Sequence, residues 1–362
     1  MGSKRISLLL FFCCLGLASA QQRSGNPLDT VPPHIQPLTH FGERAAWSPD
    51  GRRIAFVHKT LGDAFEVEVA GRAVRCLTCH FGHSGFYRVQ YLPNGDYILI
   101  GPEMVRGLEE ARWDESELWL LKSDLSSEPF RLGQRLSEGV AISRVVPRLA
   151  WVVSSRQYPD LIEENVTELW IGDVVYENGK PRIEGKKKIH QDRWPQCWLE
   201  AQDFRNRDRE LIFSCYQPDN ESEVVGVNLE SGSVTNYTGS PDVYDEPEGI
   251  FPDGEYTLVE SDLQNDRGDH FIDIWKLKLD GTGRDYTRLT FFSDFGGFKA
   301  SNPVVSPDGR FMAFQMAKSK DEPGVGYGIL LFDFAQFEDE ARAEDDRTPA
   351  GQSVKKRGQT VE

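Results

Sequence analysis

The tetrad Ser48-Pro49-Asp50-Gly51 recurs along the chain as Leu92-Pro93-Asn94-Gly95, Phe251-Pro252-Asp253-Gly254 and Ser306-Pro307-Asp308-Gly309. Each copy is followed at once by an apolar run, at residues 54–57, 97–100, 256–259 and 311–314. Proline presets φ at the second turn position, and Asp-Gly or Asn-Gly supplies the tight reversal between two antiparallel strands. A hairpin signature repeated through a chain marks an array built from one supersecondary unit. Where the repeat is clear, successive hairpins lie about 45 to 60 residues apart, the span of a four-stranded blade.

The 362-residue chain therefore predicts an all-β, six-bladed propeller over residues 35–337. The third and fourth units lack the tetrad. The third is read as a strand at 143–146, a turn at Pro147-Arg148, and strands at 150–153 and 169–171. In the fourth, the longer turn Arg205-Asn206-Arg207-Asp208-Arg209 precedes strands at 211–215 and 224–229. Pro37-Leu38-Thr39 echoes Arg288-Leu289-Thr290, so a strand near Leu38 is expected to complete the blade containing Phe311, removing a free sheet edge.

Lys4 and Arg5 precede an apolar run from Ile6 to Leu17, and Ala18-Ser19-Ala20 has the form of a cleavage site. Residues 1–20 thus read as a secretory signal peptide, too short for a membrane span, with the mature chain starting near Gln21 and no other spanning stretch. Residues 21–34 read as a flexible lead-in, and 338–362 as a charged, disordered tail.

Four cysteines remain after the signal, and an even count in an oxidising compartment predicts disulfides. Cys197 and Cys215 flank a hairpin and are expected to bond to each other. Cys76 and Cys79 either close a small loop or are bridged elsewhere. Cys76-Leu77-Thr78-Cys79-His80 also has the form of a c-type haem attachment, but it lies inside a repeat with no helical cytochrome domain around it. Asn165, Asn220 and Asn236 head N-glycosylation sequons.

The net charge of −16 argues against a nucleic-acid partner, which needs clustered cations. Lys186-Lys187-Lys188 is placed in a loop and Lys355-Lys356-Arg357 in the tail, both as solvated surface. Neither metal nor cofactor is expected. The histidines form no ligand pattern beyond His80-x-x-His83, and residues 262–269 lack the spacing and closing Glu of a calcium loop. No Gly-x-Ser-x-Gly elbow is present.

Propeller ligands sit where the segments entering the innermost strands converge. Four such segments combine aromatic and polar residues: 83–88, 194–198, 244–248 and 295–299. Aromatics beside a few directed polar groups suit a small, largely apolar organic ligand. His83, Glu246 and Lys299 are the candidate catalytic residues, and Tyr87, Arg88, Trp198 and Tyr244 the candidate substrate contacts.

Leu38-Thr39, Trp47-Ser48-Pro49-Asp50-Gly51 and Ile54-Ala55-Phe56 resemble the TolB-like repeat, a pattern that implies the propeller fold and leaves activity open. With its signal peptide, sequons and Cys-Leu-Thr-Cys segment, the chain also resembles secreted fungal propellers of natural-product pathways, among them the hetero-Diels–Alderases of tropolone–sesquiterpenoid biosynthesis. That resemblance implies joining of a quinone methide, formed by loss of water, to a terpene alkene. It carries no active-site residue with it. The competing readings are a non-catalytic scaffold for protein or glycan and a metal-dependent polysaccharide lyase.

Overall fold

A computed structural model describes residues 22–347 except 266, 322 and 323. Six four-stranded antiparallel sheets form the blades of a propeller, five of them built from consecutive strands. The innermost strands, in blade order, are Glu43–Trp47, Arg88–Tyr91, Val140–Ile142, Trp198–Arg205, Asp245–Ile250 and Phe298–Val305. The sixth blade is completed by the N-terminal strand Ile35–Pro37, which pairs with Ile329–Asp333 in the register Ile35↔Phe332. This is the expected closure, one residue row before Leu38. It covers an edge that would otherwise be open.

The tetrads work as their residue types demand. In blade 1 the Ser48 hydroxyl donates to Asp50 Oδ1 at 2.6 Å, Gly51 N donates to the Ser48 carbonyl at 2.9 Å, and Gly51 holds φ at 68°. Blade 6 repeats the arrangement, with Ser306 to Asp308 at 2.6 Å and Gly309 at φ 74°. Blade 4 makes its reversal through Asn206, Arg207 and Asp208, all in the left-handed region.

Blade 3 corrects the sequence reading. Residues 143–146 form the turn, not a strand, because Ser143 Oγ accepts from Val145 N at 2.9 Å; the flanking strands are Val140–Ile142 and Arg148–Ser154. Lys186, Lys187 and Lys188 belong to the outer strand Lys180–Arg193, where lysines protect a sheet edge, and not to a loop.

Two further segments differ from expectation. The lead-in is ordered: Arg23 bridges Phe295, Asn26 caps a 3₁₀ turn at Pro27–Thr30, and Leu28 and Val31 pack on the core. The charged tail was expected from Glu338, which instead lies within the helix Phe334–Arg347. Phe334 and Phe337 anchor that helix on blade 6, and His34 Nδ1 meets Glu340 Oε2 at 2.8 Å. The signal peptide, the rest of the tail and Lys355-Lys356-Arg357 lie outside the described residues.

Apolar side chains interdigitate between neighbouring blades, with Trp151, Trp275, Tyr286, Phe56 and Phe314 fully buried. Cys197 bonds Cys215 across a Cα separation of 5.0 Å, and Cys76 bonds Cys79 at 5.8 Å. The first is the predicted pairing, the second resolves the two alternatives in favour of the small loop, and the haem reading falls because both thiols are consumed. Among the described residues no helix is long and apolar enough to cross a membrane.

Candidate functional site in the axial funnel

At the end of the ring opposite the Pro-Asp-Gly turns, the starts of the inner strands surround a cavity of about 680 Å³. A smaller cavity of about 400 Å³ opens at the other end, bordered by the turn prolines Pro49, Pro93, Pro252 and Pro307. Glu248 borders both.

Strand alternation alone would turn only every second residue inward. Four inner strands break that rule with a bulge at the same level, between Glu43 and Ala46, Ala201 and Asp203, Pro247 and Gly249, and Ser301 and Val304. A bulge adds a residue and re-aims its neighbours. Glu43 and Arg44 therefore both face the cavity, as do Ser301 and Asn302, while Arg44 and Asn302 take φ of 56° and 48°. This conformation costs a non-glycine residue some backbone energy, less for Asn302 than for Arg44.

The wall of the funnel is aromatic, formed by Trp113, Trp194, Trp198, Tyr216 and Tyr244. Trp198 and Tyr216 face each other in the strand register, and the Cys197–Cys215 bond clamps the same strand pair one step away. Deeper in, Glu138 accepts from Arg44 Nη2 at 2.7 Å and from Arg112 Nη2. Burial by itself would raise the Glu138 pKa, but Arg112, Arg44 and Arg88 overcome that and lower it to about 2.

Four other funnel glutamates behave in the opposite way. Burial first, then neighbouring carboxylates, push Glu200 to about 8, Glu246 to about 7, and Glu248 and Glu260 to about 8. Geometry independently requires a retained proton. The Tyr216 hydroxyl lies 2.8 Å from Glu200 Oε2 and 2.5 Å from Glu246 Oε1. A phenol has one proton, so it donates to one carboxyl and the other must donate to it. Tyr244 donates to the second oxygen of Glu246. Glu200, Tyr216 and Glu246 thus form a proton-sharing chain facing the cavity, whose titration belongs to the pair of carboxyls.

Of the residues picked from sequence, Arg88, Trp198, Tyr244, Glu246 and Lys299 line this cavity. Lys299 Nζ is held by the Asp269 carbonyl at 2.8 Å. Tyr87 does not line it: the ring is fully buried between blades, with its hydroxyl 3.5 Å from the Glu138 carbonyl and the Arg44 guanidinium 5.6 Å from the ring centroid. It supports the floor. His83 is outside the funnel altogether. Its Nδ1 accepts from Gly85 N at 2.9 Å, which leaves the proton on Nε2 to donate to Asp63 at 3.0 Å. The chain reaches the axis only at Arg88, so His83 is removed from the catalytic set.

Sequence reasoning missed Arg44, Arg112, Glu138, Glu200 and Tyr216. Nothing in their local sequence distinguishes them from solvated strand-end charges; the one available signal was Glu246-Pro-Glu248, two acids on one inner strand. Asn165 and Asn220 lie at the cavity and are exposed, as is Asn236 elsewhere. Among the described residues, the grouping of potential metal-ligand atoms is Asp63 with Cys76 and Cys79, whose sulfurs are bonded to each other.

No protein-family model matches the sequence, and no curated protein matches it. Solved structures do. A gluconolactonase from Xanthomonas campestris is 12% identical, with 83% of this chain and 89% of that chain covered and a TM-score of 0.53. The β-propeller domain of the trilobed protease from Pyrococcus furiosus is 10% identical, covering 81% and 82% at a TM-score of 0.47. TolB from Acinetobacter baumannii is 14% identical, covering 81% of this chain and 55% of that chain at a TM-score of 0.43. At such identities the likeness is one of fold.

Proposed function

We propose that the funnel is the active site of a secreted enzyme that generates a quinone methide by acid-assisted loss of water and orients it against a terpene alkene for an intermolecular hetero-Diels–Alder cycloaddition. The observation that carries this reading is the Glu200–Tyr216–Glu246 chain beneath an aromatic wall. The carboxyl pair, protonated near neutral pH, delivers a proton to the hydroxymethyl oxygen of the precursor. The C–O bond breaks, water leaves, and the proton of the ring hydroxyl returns to the pair, so the acid is regenerated. Cycloaddition then forms one C–C and one C–O bond without any proton transfer.

Two apolar reactants held at attack distance gain on the order of 7–11 kcal/mol from orientation alone. Trp198 and Tyr244 supply flat apolar surface for that purpose, and Glu246, one of the candidate catalytic residues, acts as one half of the proton-sharing pair. The test is to incubate glycoprotein from a secretory host with hydroxymethyl precursor and terpene and to follow the adduct by mass spectrometry. Glu200→Gln and Glu246→Gln should each slow adduct formation by about 10²-fold or more, in the range of general acid catalysis. Trp198→Ala should weaken turnover in a folded ring. An adduct rate equal to the protein-free control, or full activity in all three variants, refutes the reading. Loss of activity with a chelator alone would transfer the site to the lyase reading.

A further inference from the structure

Two buried funnel arginines stand outside the proton-sharing chain. Arg44 is only 8% exposed and sits at φ 56°; its backbone N donates to Gln315 Oε1 at 2.6 Å, but its side chain gives one hydrogen bond, from Nη2 to Glu138. Its Nε and Nη1 are buried with no protein acceptor. Arg88 opens the inner strand of the next blade with its side chain 13% exposed. The nearest carboxylate oxygen, Glu200 Oε1, is 3.7 Å from its Nη2, beyond hydrogen-bond reach, and its Nε is buried and unpartnered. Glu200 Oε1 is itself unpartnered.

A fold does not gain stability from any of this. Buried guanidinium groups are costly unless paired and fully hydrogen-bonded, and each unmet donor adds to the cost. Other propeller positions show what a structural arginine looks like here: Arg288 is similarly buried and donates to Asp273 Oδ2, Asp294 Oδ1 and the Thr290 carbonyl. Arg44 and Arg88 instead turn toward the cavity from adjacent blades, one from a strained bulge. We propose that they form a subsite for a ligand oxygen carrying negative charge, so that the funnel takes an organic acid with an apolar body, its anionic oxygens on the two guanidiniums and its body on the aromatic wall. The planar fork of a guanidinium matches paired oxygens of this kind.

The other charged groups facing the two arginines are Glu43, Glu138, Glu200, Glu248, Glu260 and Arg112. Glu138 is already shared with Arg112. Glu200, Glu248 and Glu260 hold their protons up to about 8, so they oppose an anion only in alkaline solution. The subsite rests on the funnel being the ligand site and is independent of the cycloaddition.

The test uses the full secreted chain and three probes of one shape: benzoate, benzyl alcohol and benzamidine, titrated at pH 6 with tryptophan fluorescence and calorimetry. Benzoate should bind at least 10-fold more tightly than benzyl alcohol, with benzamidine weakest, and its affinity should fall between pH 7 and pH 9. Arg88→Gln should lower benzoate affinity at least 10-fold without lowering the melting temperature. If that variant does not fold, the wild-type order of the three probes decides. Equal binding of benzoate and benzyl alcohol, tighter benzamidine, no binding of any probe, or unchanged benzoate affinity in a folded Arg88→Gln protein overturns the subsite. Benzoate binding without adduct formation sustains the subsite and refutes only the cycloaddition; adduct formation without benzoate binding does the reverse.

Discussion

The buried carboxyl groups should make the stability of the ring fall as pH rises, which is the reverse of ordinary acid denaturation. Glu200, Glu246, Glu248 and Glu260 have native pKa values raised from 4.5 to about 7 or 8, with burial the largest cause. Asp245, raised to about 7 by burial, acts in the same direction. Between the unfolded and the native pKa the folded state holds more protons than the unfolded state, so stability declines with pH. The contribution is fully present below about 4.5 and is lost as pH climbs through about 7 to 8. Glu138, lowered to about 2, works in the other window and loses its contribution only in acid.

Each pKa unit is about 1.36 kcal/mol, so the raised pKa of Glu248 corresponds to at most about 5 kcal/mol on ionisation, of which about 1–2 kcal/mol is expected to survive local relaxation around the charged group. At about 2–4 °C per kcal/mol, the wild-type melting temperature should drop by roughly 5 °C or more between pH 5 and pH 8.5. Glu248→Gln is the diagnostic change, because the amide keeps an acceptor for Asn302 Nδ2, which lies 3.0 Å from Glu248 Oε1. It should recover about 2–4 °C at pH 8.5 and change little at pH 5. Scanning calorimetry of both proteins across this range decides the matter. A flat or rising wild-type profile, or equal destabilisation of the variant at both pH values, refutes the assignment of protonated glutamates to the channel.

Two further outcomes follow from local geometry. Gly42→Ala should destabilise by roughly 2–4 kcal/mol, since φ is +99° and an added Cβ would lie 2.2 Å from a Phe56 ring carbon; an unchanged melting temperature would contradict the packing of blade 1. Peptide mapping of protein from a secretory host should find glycans on Asn165, Asn220 and Asn236, all exposed, and recovery of the unmodified peptides would remove the sugars placed at the funnel rim.

What could be read from the sequence was what a short window determines. A Pro-Asp-Gly turn is specified by the φ preferences of three residues, so the tetrads, and from them the ring, were legible. The Cys197–Cys215 bond was legible for the same reason, since a single hairpin joins its two ends. The same reasoning failed at residues 143–146, where a serine side chain replaces the tetrad and apolar valines imitate a strand. It failed again at Glu338, because a helix composed mostly of charged residues is held by Phe334 and Phe337 at its first turn.

The funnel was only half legible, and the dividing line is physical. Aromatic residues in the segments entering the inner strands announced Trp198 and Tyr244, whose bulk has few other uses there. The charged floor had no such signature, because its meaning depends on partners from elsewhere in the ring: Arg44 meets Glu138 at a separation of 94 residues, and Tyr216 joins Glu200 to Glu246. Bulges compound the difficulty by turning consecutive residues inward, which erases the alternation that would mark an inner face. Where a strained bulge holds a buried arginine with unmet donors, fold stability is being given up at one place on the axis. The unmet donors of Arg44 and Arg88, set against the satisfied guanidinium of Arg288, are the observation on which the proposed anion subsite at the funnel floor stands or falls.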